Sequence, residues 1–371
     1  MKKRFFVIAV VLYSLVVLYF GIGLFSFPQS EYSENENRRL TTLPKASVNA
    51  IFDKSFFKSL DKFSTDQFPH RNTFLKINAI YDISLGRLES GGVMLGNNAL
   101  IKRLEYTDTA EAKKSMIGIK RLIKEAQENG KNAYFMCPPV ASEVLYSYCP
   151  IIYDSEEIKK AEEFIKNEYN NTIFITDLLR SKASSGEYVY YKTDHHWTSL
   201  GAYYAYVRLG EILGYEPYKK EDFIVKTLTK DFVGTSYTSS LIPISLKDEI
   251  IAFLFPLDEK ITVTDKTTDE ILKLYDEKKL DTVSKYDVFL GGNRAHIEIN
   301  NSSENPNLVI VKDSFANSLV PFLARHYNIT LIDPRYVRGD VYELVSRTLK
   351  EKNATLLILI NIDTVFTGTG L

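Results

Sequence analysis

The sequence is poor in the residues that build metal centres and disulfide networks. Its 371 residues include five histidines, two cysteines and one tryptophan. Cys137 and Cys149 have neither a CxxC nor a metal-ligand spacing, so the cysteines do not indicate a zinc ribbon or a redox motif. A single bridge between them and a pair of buried thiols are both compatible with the sequence, because Cys137 lies in an apolar run.

The sequence also lacks an excess of charge of either sign. The formal net charge is −1, and nucleic-acid binding normally shows a basic excess, so that class is excluded. The apolar fraction of 45% is enough for one substantial core. We therefore expect one main domain with an appendage rather than two equal domains.

Two of the five histidines are adjacent, in the stretch Thr193-Asp194-His195-His196-Trp197-Thr198. In an extended segment residues two apart face the same side, so Asp194 would accept the Nδ1 proton of His196 and leave Nε2 free as a base. His195 would face the other way, and the Trp197 ring would line the substrate site. A helix capped by Thr198 or Ser199 is predicted to follow.

Two other interpretations of this stretch remain. The histidine pair beside a tryptophan also fits a hydrogen-bonded feature of the core. Asp-His-His also opens a phosphoesterase family named for those letters, but a metal site needs three or four ligands. His70, His296 and His326 stand alone, so no metal site is predicted.

The best candidate for a nucleophile is Ser314, in Lys312-Asp313-Ser314-Phe315. It follows the apolar run 308–311, and a serine at such a strand-to-helix turn lies at the ligand-binding edge of an open α/β sheet. The amides of the following helix would favour a developing negative charge. Serine is also a common helix N-cap, and only the conjunction with Asp194 and His196 favours catalysis.

An oxyanion hole would need further hydrogen-bond donors beside the amide of Ser314. A strand within 286–290 is predicted to end at Gly291-Gly292-Asn293, and Gly292 and Asn293 are the candidates. Gly-Gly-Asn is equally typical of an ordinary turn.

The segment from Tyr190 to Thr198, Tyr-Tyr-Lys-Thr-Asp-His-His-Trp-Thr, resembles the signature of the DHHW protein family, which is similar to the SGNH-like proteins of alginate O-acetylation. Residues 36–40 and 66–71 also resemble family segments. The resemblance implies an α/β fold, with an SGNH-hydrolase-like sheet flanked by helices and a circularly permuted motif order in which Asp-x-His precedes the serine. The chain has Lys312 where GDSL-type motifs have glycine. Its Asp194-x-His196 spacing is one residue shorter than the Asp-x-x-His of ordinary SGNH enzymes, and this shorter spacing matches the DHHW group.

The N-terminus places a basic cluster, Lys2-Lys3-Arg4, before an uncharged run from Phe5 to Phe27. Such a run spans the hydrocarbon core of a bilayer, and the positive-inside rule puts the remaining chain outside the cytoplasm. An uncleaved anchor is favoured over a cleaved signal peptide. We therefore expect an anchor at 1–28, a stalk and helical segment at 29–90, and a catalytic domain at 91–371.

Alternating elements in the third region predict a parallel sheet covered by helices. Strands are expected at 132–137, 172–175, 288–290, 308–311, 329–332 and 356–360, and helices at 111–129, 156–169, 316–326 and 341–350. An irregular insertion is expected at about 215–285. This insertion could form a lid or a glycan-facing surface, and an insertion without a function is equally compatible with the sequence.

The function predicted is acyl transfer or ester hydrolysis through Ser314, His196 and Asp194, with no cofactor. The resemblance implies O-acetylation of an extracytoplasmic polysaccharide, with a membrane-bound O-acyltransferase as the partner that supplies acetyl groups. The alternatives are a membrane-tethered polysaccharide-binding or assembly protein without turnover and, third, a metal-dependent hydrolase.

Overall fold

A computed structural model describes residues 2–33, 38–104, 106, 109–150, 156–256 and 258–371. The chain forms two compact units, Met1–Gly91 with Thr238–Ile244 and Gly92–Tyr237 with Ser245–Leu371. The segment Thr238–Ile244, which the sequence assigns to the larger region, thus belongs to the first unit. One contact that holds it there is the hydrogen bond from Ser90 Oγ to the Ser240 carbonyl, at 2.9 Å.

The helices are α1 Lys2–Ser26, α2 Val48–Phe52, α3 Ser55–Asp66, α4 Arg71–Ser84, α5 Thr109–Glu128, α6 Ala141–Val144, α7 Glu156–Glu168, α8 Thr176–Ser184, α9 Ser199–Leu213, α10 Thr235–Ser240, α11 Ala316–Leu323, α12 Val341–Lys352 and α13 Ile362–Thr367. The strands are β1 Tyr32–Ser33, β2 Arg38–Arg39, β3 Glu89–Ser90, β4 Val93–Gly96, β5 Ala99–Lys102, β6 Ala133–Met136, β7 Ile224–Phe232, β8 Asp248–Leu254, β9 Thr262–Asp265, β10 Ile271–Leu272, β11 His296–Asn300, β12 Asn307–Lys312, β13 Asn328–Ile332 and β14 Thr355–Leu359.

The first unit begins with α1, whose segment Lys3–Ser26 includes an exposed apolar stretch with a mean hydropathy of 2.7. This helix is long and apolar enough to cross a membrane, and a signal sequence has the same properties. The predicted stalk contains a short antiparallel pair, in which Tyr32 of β1 lies opposite Arg39 of β2. Residues 34–37, which include the Glu-Asn of the family-like segment, lie outside the described residues.

The second unit is built around a seven-stranded sheet with the order β10-β9-β11-β13-β12-β14-β6. The four strands β13, β12, β14 and β6 are parallel, as the alternation of elements predicts. The strands β11, β9 and β10 continue the sheet as antiparallel neighbours. The sheet is therefore mixed, with its parallel half at the centre and at one edge.

Central strand β12 explains why the sheet forms at this place in the chain. Leu308, Val309, Ile310 and Val311 are all fully buried, which requires cover on both faces of the sheet. Such continuous β-branched and aliphatic runs are typical of parallel strands, and burying each side chain stabilises the fold by about 1.5–3 kcal/mol. Strand β12 then ends at Lys312, directly before the candidate nucleophile.

Three sequence predictions about elements need correction. Residues 172–175 form only an isolated parallel bridge between Ile173 and Met136, because the chain enters α8 at Thr176. Residues 285–288 form a 3₁₀ helix instead of a strand. The segment 215–285 is more regular than predicted, since β7 pairs with β8 and both β9 and β10 join the main sheet.

Other local predictions agree with the structure. Helix α9 begins after Thr198, whose side-chain oxygen accepts a hydrogen bond from the Gly201 amide at 3.2 Å. The helices predicted at 111–129, 156–169, 316–326 and 341–350 correspond to α5, α7, α11 and α12. Cys137 and Cys149 are both free thiols, Cys137 buried and Cys149 half-buried.

Candidate active site

Ser314 lies on a tight turn between β12 and α11, at the carboxyl end of a parallel strand. Asp313 holds this turn, since its Oδ1 accepts from the Phe315 amide at 3.0 Å and its Oδ2 from the Asn361 amide at 2.7 Å. The N-cap position of α11 is Phe315, and no side chain caps the helix. The Ser314 hydroxyl therefore does not act as the helix cap that its residue type also suggests.

The Ser314 hydroxyl instead contacts an imidazole. Ser314 Oγ lies 2.7 Å from His196 Nε2, and His196 Nδ1 lies 2.6 Å from Asp194 Oδ1. With Nδ1 donating to the carboxylate, Nε2 is left to accept the hydroxyl proton. The structure thus brings together the three residues that the sequence analysis selected.

Four hydrogen bonds fix the carboxylate of Asp194. Oδ1 accepts from the His196 amide and ring, and Oδ2 accepts from the Thr235 amide at 2.8 Å and the Thr235 hydroxyl at 3.0 Å. Burial acts to raise the pKa of Asp194, but the neighbouring His196 and His195 rings and these hydrogen bonds outweigh it and hold the pKa below its usual range. Asp194 is therefore a carboxylate at neutral pH.

The loop that carries the pair is held by a second buried carboxylate, Asp248. It accepts hydrogen bonds from the Lys192 amide at 2.8 Å, from the Thr193 amide at 2.7 Å and hydroxyl at 2.5 Å, and from the Tyr188 hydroxyl. Burial raises the pKa of Asp248, and these hydrogen bonds act in the opposite direction. The backbone just before Asp194 is thus anchored to β8.

Two aromatic rings hold the His196 imidazole in place. The Tyr286 ring stacks on it, with centroids 4.0 Å apart and planes at 5°, and the Phe315 ring lies 5.0 Å away. Tyr286 is buried, and its hydroxyl lies within hydrogen-bonding distance of the Ser314 carbonyl and of Ser318 Oγ. The sequence analysis did not select Tyr286, because no local pattern shows that its ring reaches His196.

His195 does not face away from His196 as predicted. The two rings lie 3.8 Å apart, and His195 Nδ1 contacts the Thr235 hydroxyl at 2.5 Å. The reason is that 192–196 is a bend, not an extended segment. Asp194, His195 and His196 also offer ligand atoms within 4.8 Å of one another. Asp194 Oδ1 and both ring nitrogens of His196 already take part in the hydrogen bonds described above.

Trp197 does not line the site. Its ring is fully buried, and Nε1 donates to the Phe315 carbonyl and to Ser318 Oγ, both at 3.0 Å. The prediction that Trp197 contacts the substrate is therefore wrong. The indole lies beneath the turn that bears Ser314 and supports that turn. Its ring packs against Phe315 at 5.3 Å.

Of the predicted oxyanion donors, the Gly292 amide already has an acceptor, whereas in the described part of the chain Asn293 Nδ2 and the Ser314 amide do not. The Gly292 amide donates to the Phe289 carbonyl at 3.1 Å, so it is not available, and this part of the prediction is wrong. Gly292 has φ +93°, and a Cβ there would lie 2.8 Å from the Asp287 carboxyl carbon, so the residue serves the turn. The Ser314 amide and Asn293 Nδ2 have no acceptor among the described residues, and both remain candidate donors.

Lys312 fixes the orientation of the Asn293 amide. Lys312 Nζ donates to Asn293 Oδ1 at 3.0 Å and to Asn317 Oδ1 at 2.7 Å, and Asn317 Nδ2 also donates to Asn293 Oδ1. An ammonium group only donates, so the oxygen of Asn293 must face it and Nδ2 must face away. Burial lowers the pKa of Lys312, while Asp333, 3.6 Å away, acts to raise it.

Comparisons with known proteins agree with this architecture. The chain is an α/β protein whose mixed sheet carries a serine directly after a central parallel strand, with an Asp-x-His loop beside that serine. The family model described as DHHW protein matches residues 130–332, more than half of the sequence. The chain therefore belongs to the DHHW family.

Solved structures show the same fold at low sequence identity. A DHHW family protein from Eubacterium siraeum is 23% identical, with a TM-score of 0.59 over 75% of this chain and 93% of that one. PatB1 from Bacillus cereus is 19% identical, with a TM-score of 0.60 over 75% of this chain and 98% of that one. The structure of Bacillus cereus PatB1 with a sulfonyl adduct is 18% identical, with a TM-score of 0.59 over 74% of this chain and 97% of that one. A comparison with curated proteins gives no match.

Proposed function

We propose that the protein is an acyltransferase or esterase that works through an acyl ester on Ser314. The observation that carries the proposal is the unbroken series of hydrogen bonds from Asp194 through His196 to Ser314, with lengths of 2.6 and 2.7 Å. This is the arrangement that nucleophilic serine catalysis needs, a hydroxyl on a base that is itself oriented by a carboxylate.

The proposed reaction has two halves. His196 Nε2 takes the Ser314 proton as Oγ attacks the acyl carbonyl carbon, and the tetrahedral oxyanion accepts hydrogen bonds from the Ser314 amide and Asn293 Nδ2. The bond to the leaving oxygen then breaks, and that oxygen takes the proton from His196. In the second half an acceptor hydroxyl gives its proton to His196 and attacks the ester, and Ser314 recovers its proton as it leaves.

The acyl group we propose is acetyl, and the acceptor is a hydroxyl of a polysaccharide outside the cytoplasm. Support comes from the resemblance of the 190–198 motif to the signature of the DHHW family, which is similar to proteins of alginate O-acetylation. The apolar run of α1 that follows Lys2-Lys3-Arg4 supports the location. A membrane-bound O-acyltransferase is the proposed source of acetyl groups. With water as acceptor, the same residues hydrolyse the ester.

The test uses Ser314→Ala, with Ser181→Ala, an exposed serine of α8, as the matched control. We expect release of p-nitrophenol from p-nitrophenyl acetate to fall by at least about 10³-fold in Ser314→Ala only. A sulfonyl fluoride should add one sulfonyl group to Ser314, measured by peptide mass spectrometry.

Full activity and labelling in Ser314→Ala would contradict the serine mechanism. Activity of the native chain lost on chelation and restored by a divalent metal ion would favour the metal-dependent hydrolase. Polysaccharide binding that is retained in Ser314→Ala, with no turnover by the native chain, would favour the non-catalytic tethering protein.

A further inference from the structure

Within the first unit, the start of α4 is held against the C-terminal part of α1. The Phe68 ring stacks on Phe20, with centroids 5.0 Å apart and planes at 12°, and the Phe74 ring lies 5.8 Å from Phe20. The Tyr19 hydroxyl lies 2.7 Å from His70 Nε2. These contacts fix the level along α1 at which α4 begins.

That level is close to the outer end of the apolar run. At about 1.5 Å per residue, the twenty residues 5–24 span the roughly 30 Å of a hydrocarbon core. Phe20 lies about 9 Å before the end of α1 at Ser26 on the same scale. A tyrosine such as Tyr19 at this position is typical of the aromatic belt at the boundary of headgroups and acyl chains.

Helix α4 exposes a second apolar face at this level. Phe74, Ile77 and Tyr81 recur at intervals of three and four residues, so they form one stripe, and their exposed fractions are 44%, 55% and 58%. The buried Ala79 lies on a different side of the helix. The stripe begins at Phe74, which also contacts Phe20, and its partly exposed apolar side chains suit a lipid surface.

An open groove lies beside this stripe. It has a volume of about 540 Å³ and is lined by α1 residues Phe20, Gly21 and Leu24 and by residues around α3 and α4, among them Phe68, Phe74 and Leu75. Most of the lining residues are apolar, and Ser64, Thr65 and Arg71 are the polar ones. A groove of this kind along a membrane-spanning helix, open at the depth of the acyl chains, would be filled by those chains. The groove and the stripe therefore have the same expected neighbour.

We propose that α4 lies in the outer boundary between headgroups and acyl chains, with Phe74, Ile77 and Tyr81 facing lipid. The proposal rests on the proposed membrane anchor and adds a second, surface-lying contact to it. The partner of this surface is the lipid of the outer leaflet. Phe68 and Phe74 contact Phe20 of α1, so they lie at the same depth in the bilayer as Phe20.

The test measures the depth of single tryptophans in the full chain, reconstituted in phosphatidylcholine and phosphatidylglycerol vesicles with brominated acyl chains. Ile77→Trp reports on α4, Leu15→Trp reports on the middle of α1, and Ile117→Trp places a tryptophan on the exposed surface of α5. The native Trp197 is fully buried and gives the same background in each variant.

We expect bromines near the glycerol end of the chains to quench Ile77→Trp more than bromines near the methyl end, and the reverse order for Leu15→Trp. Quenching of Leu15→Trp without quenching of Ile77→Trp would overturn the α4 proposal and leave the anchor standing, as docking of a partner protein on this face would require. Absence of quenching at both positions would overturn the anchor and the α4 proposal together. Ile117→Trp quenched as strongly as Ile77→Trp would also overturn the α4 proposal.

Discussion

Gly234 packs directly against the carboxylate of Asp194. A Cβ added at Gly234 would lie 2.2 Å from Asp194 Cβ and 2.4 Å from Oδ2, distances that real side chains do not adopt. The next residue, Thr235, donates both its amide and its hydroxyl to the same carboxylate. The Gly-Thr pair thus sets the position of Asp194 from outside the His-His loop.

Gly234→Ala should displace Asp194 and with it the His196 imidazole. We expect kcat for p-nitrophenyl acetate to fall by on the order of 10²-fold, since small misplacements of catalytic groups have effects of this size. Overpacking should also lower the free energy of unfolding by about 1–3 kcal/mol. The matched control is Ser236→Ala, which removes a buried hydroxyl without a partner among the described residues. Native kcat in Gly234→Ala would contradict this role.

Tyr286 should act on catalysis through its ring rather than its hydroxyl. In Tyr286→Leu the face that stacks on His196 is lost, and kcat should fall by roughly 10-fold to 100-fold. Tyr286→Phe keeps the ring and should stay within about fivefold of the native value, because only one or two neutral hydrogen bonds are removed. Steady-state kinetics of both variants decide this, and equal losses in the two would assign the role to the hydroxyl.

Lys312→Met should lower kcat and leave KM unchanged. The Asn293 amide loses the ammonium that orients it, and an oxyanion donor acts only once the tetrahedral state forms. We expect a loss of roughly tenfold, while Asp333 keeps its hydrogen bonds from the amide and guanidinium of Arg335. Lys352→Met, which removes a partly exposed ion pair with Glu298, is the control. A rise in KM alone would place Asn293 in ground-state binding.

Because of the buried Glu143, the free energy of unfolding should decrease as pH rises. Burial, followed by the charge of Glu162, raises the pKa of Glu143 to about 9. The folded state then holds a proton that the unfolded chain releases above its ordinary pKa of 4.5, so stability falls as pH rises from about 4.5 to 9.

Glu143→Gln should remove this dependence. The slope due to one such group is about 1.4 kcal/mol per pH unit at most. The Arg180 guanidinium, 3.4 Å from Glu143, acts to lower the pKa of Glu143 and so narrows the pH range over which the slope applies. Urea unfolding at pH 6, 7 and 8 should therefore show the native chain losing stability relative to Glu143→Gln with each step. A difference that stays constant across this range would show that Glu143 is already ionised in the folded protein.

The sequence predicts an element correctly where the position of that element in the fold imposes a pattern on its own residues. Strand β12 is recognisable because burial on both faces demands an uninterrupted apolar run, and Asp194 with His196 is recognisable because their contact is local. The antiparallel strands β9 and β11 are not, since they carry polar residues such as Thr264 and Glu298 and their pairing is settled by distant neighbours. The apolar residues among 286–290 suit a strand, but residues 285–288 form a 3₁₀ helix, and three successive residues with positive φ, Leu290 to Gly292, follow shortly after it.

The supporting residues of the site were harder to predict for the same reason. Tyr286 and Gly234 contact His196 and Asp194, and Asp248 holds the backbone just before Asp194, all from 40 or more positions away, so no local sequence pattern marks them. Gly292 shows the opposite error: its type suits an oxyanion hole, but only the structure shows that its amide already has an acceptor.

His196 and Ser314 lie 118 positions apart, and the hydrogen bond between them exists only when β12 is in place in the sheet. A chain released before position 314 has the imidazole and its carboxylate but no alcohol to activate. Under the proposed mechanism, truncated products of synthesis would therefore form no acyl ester, and acyl transfer would begin only once Ser314 is in place beside His196.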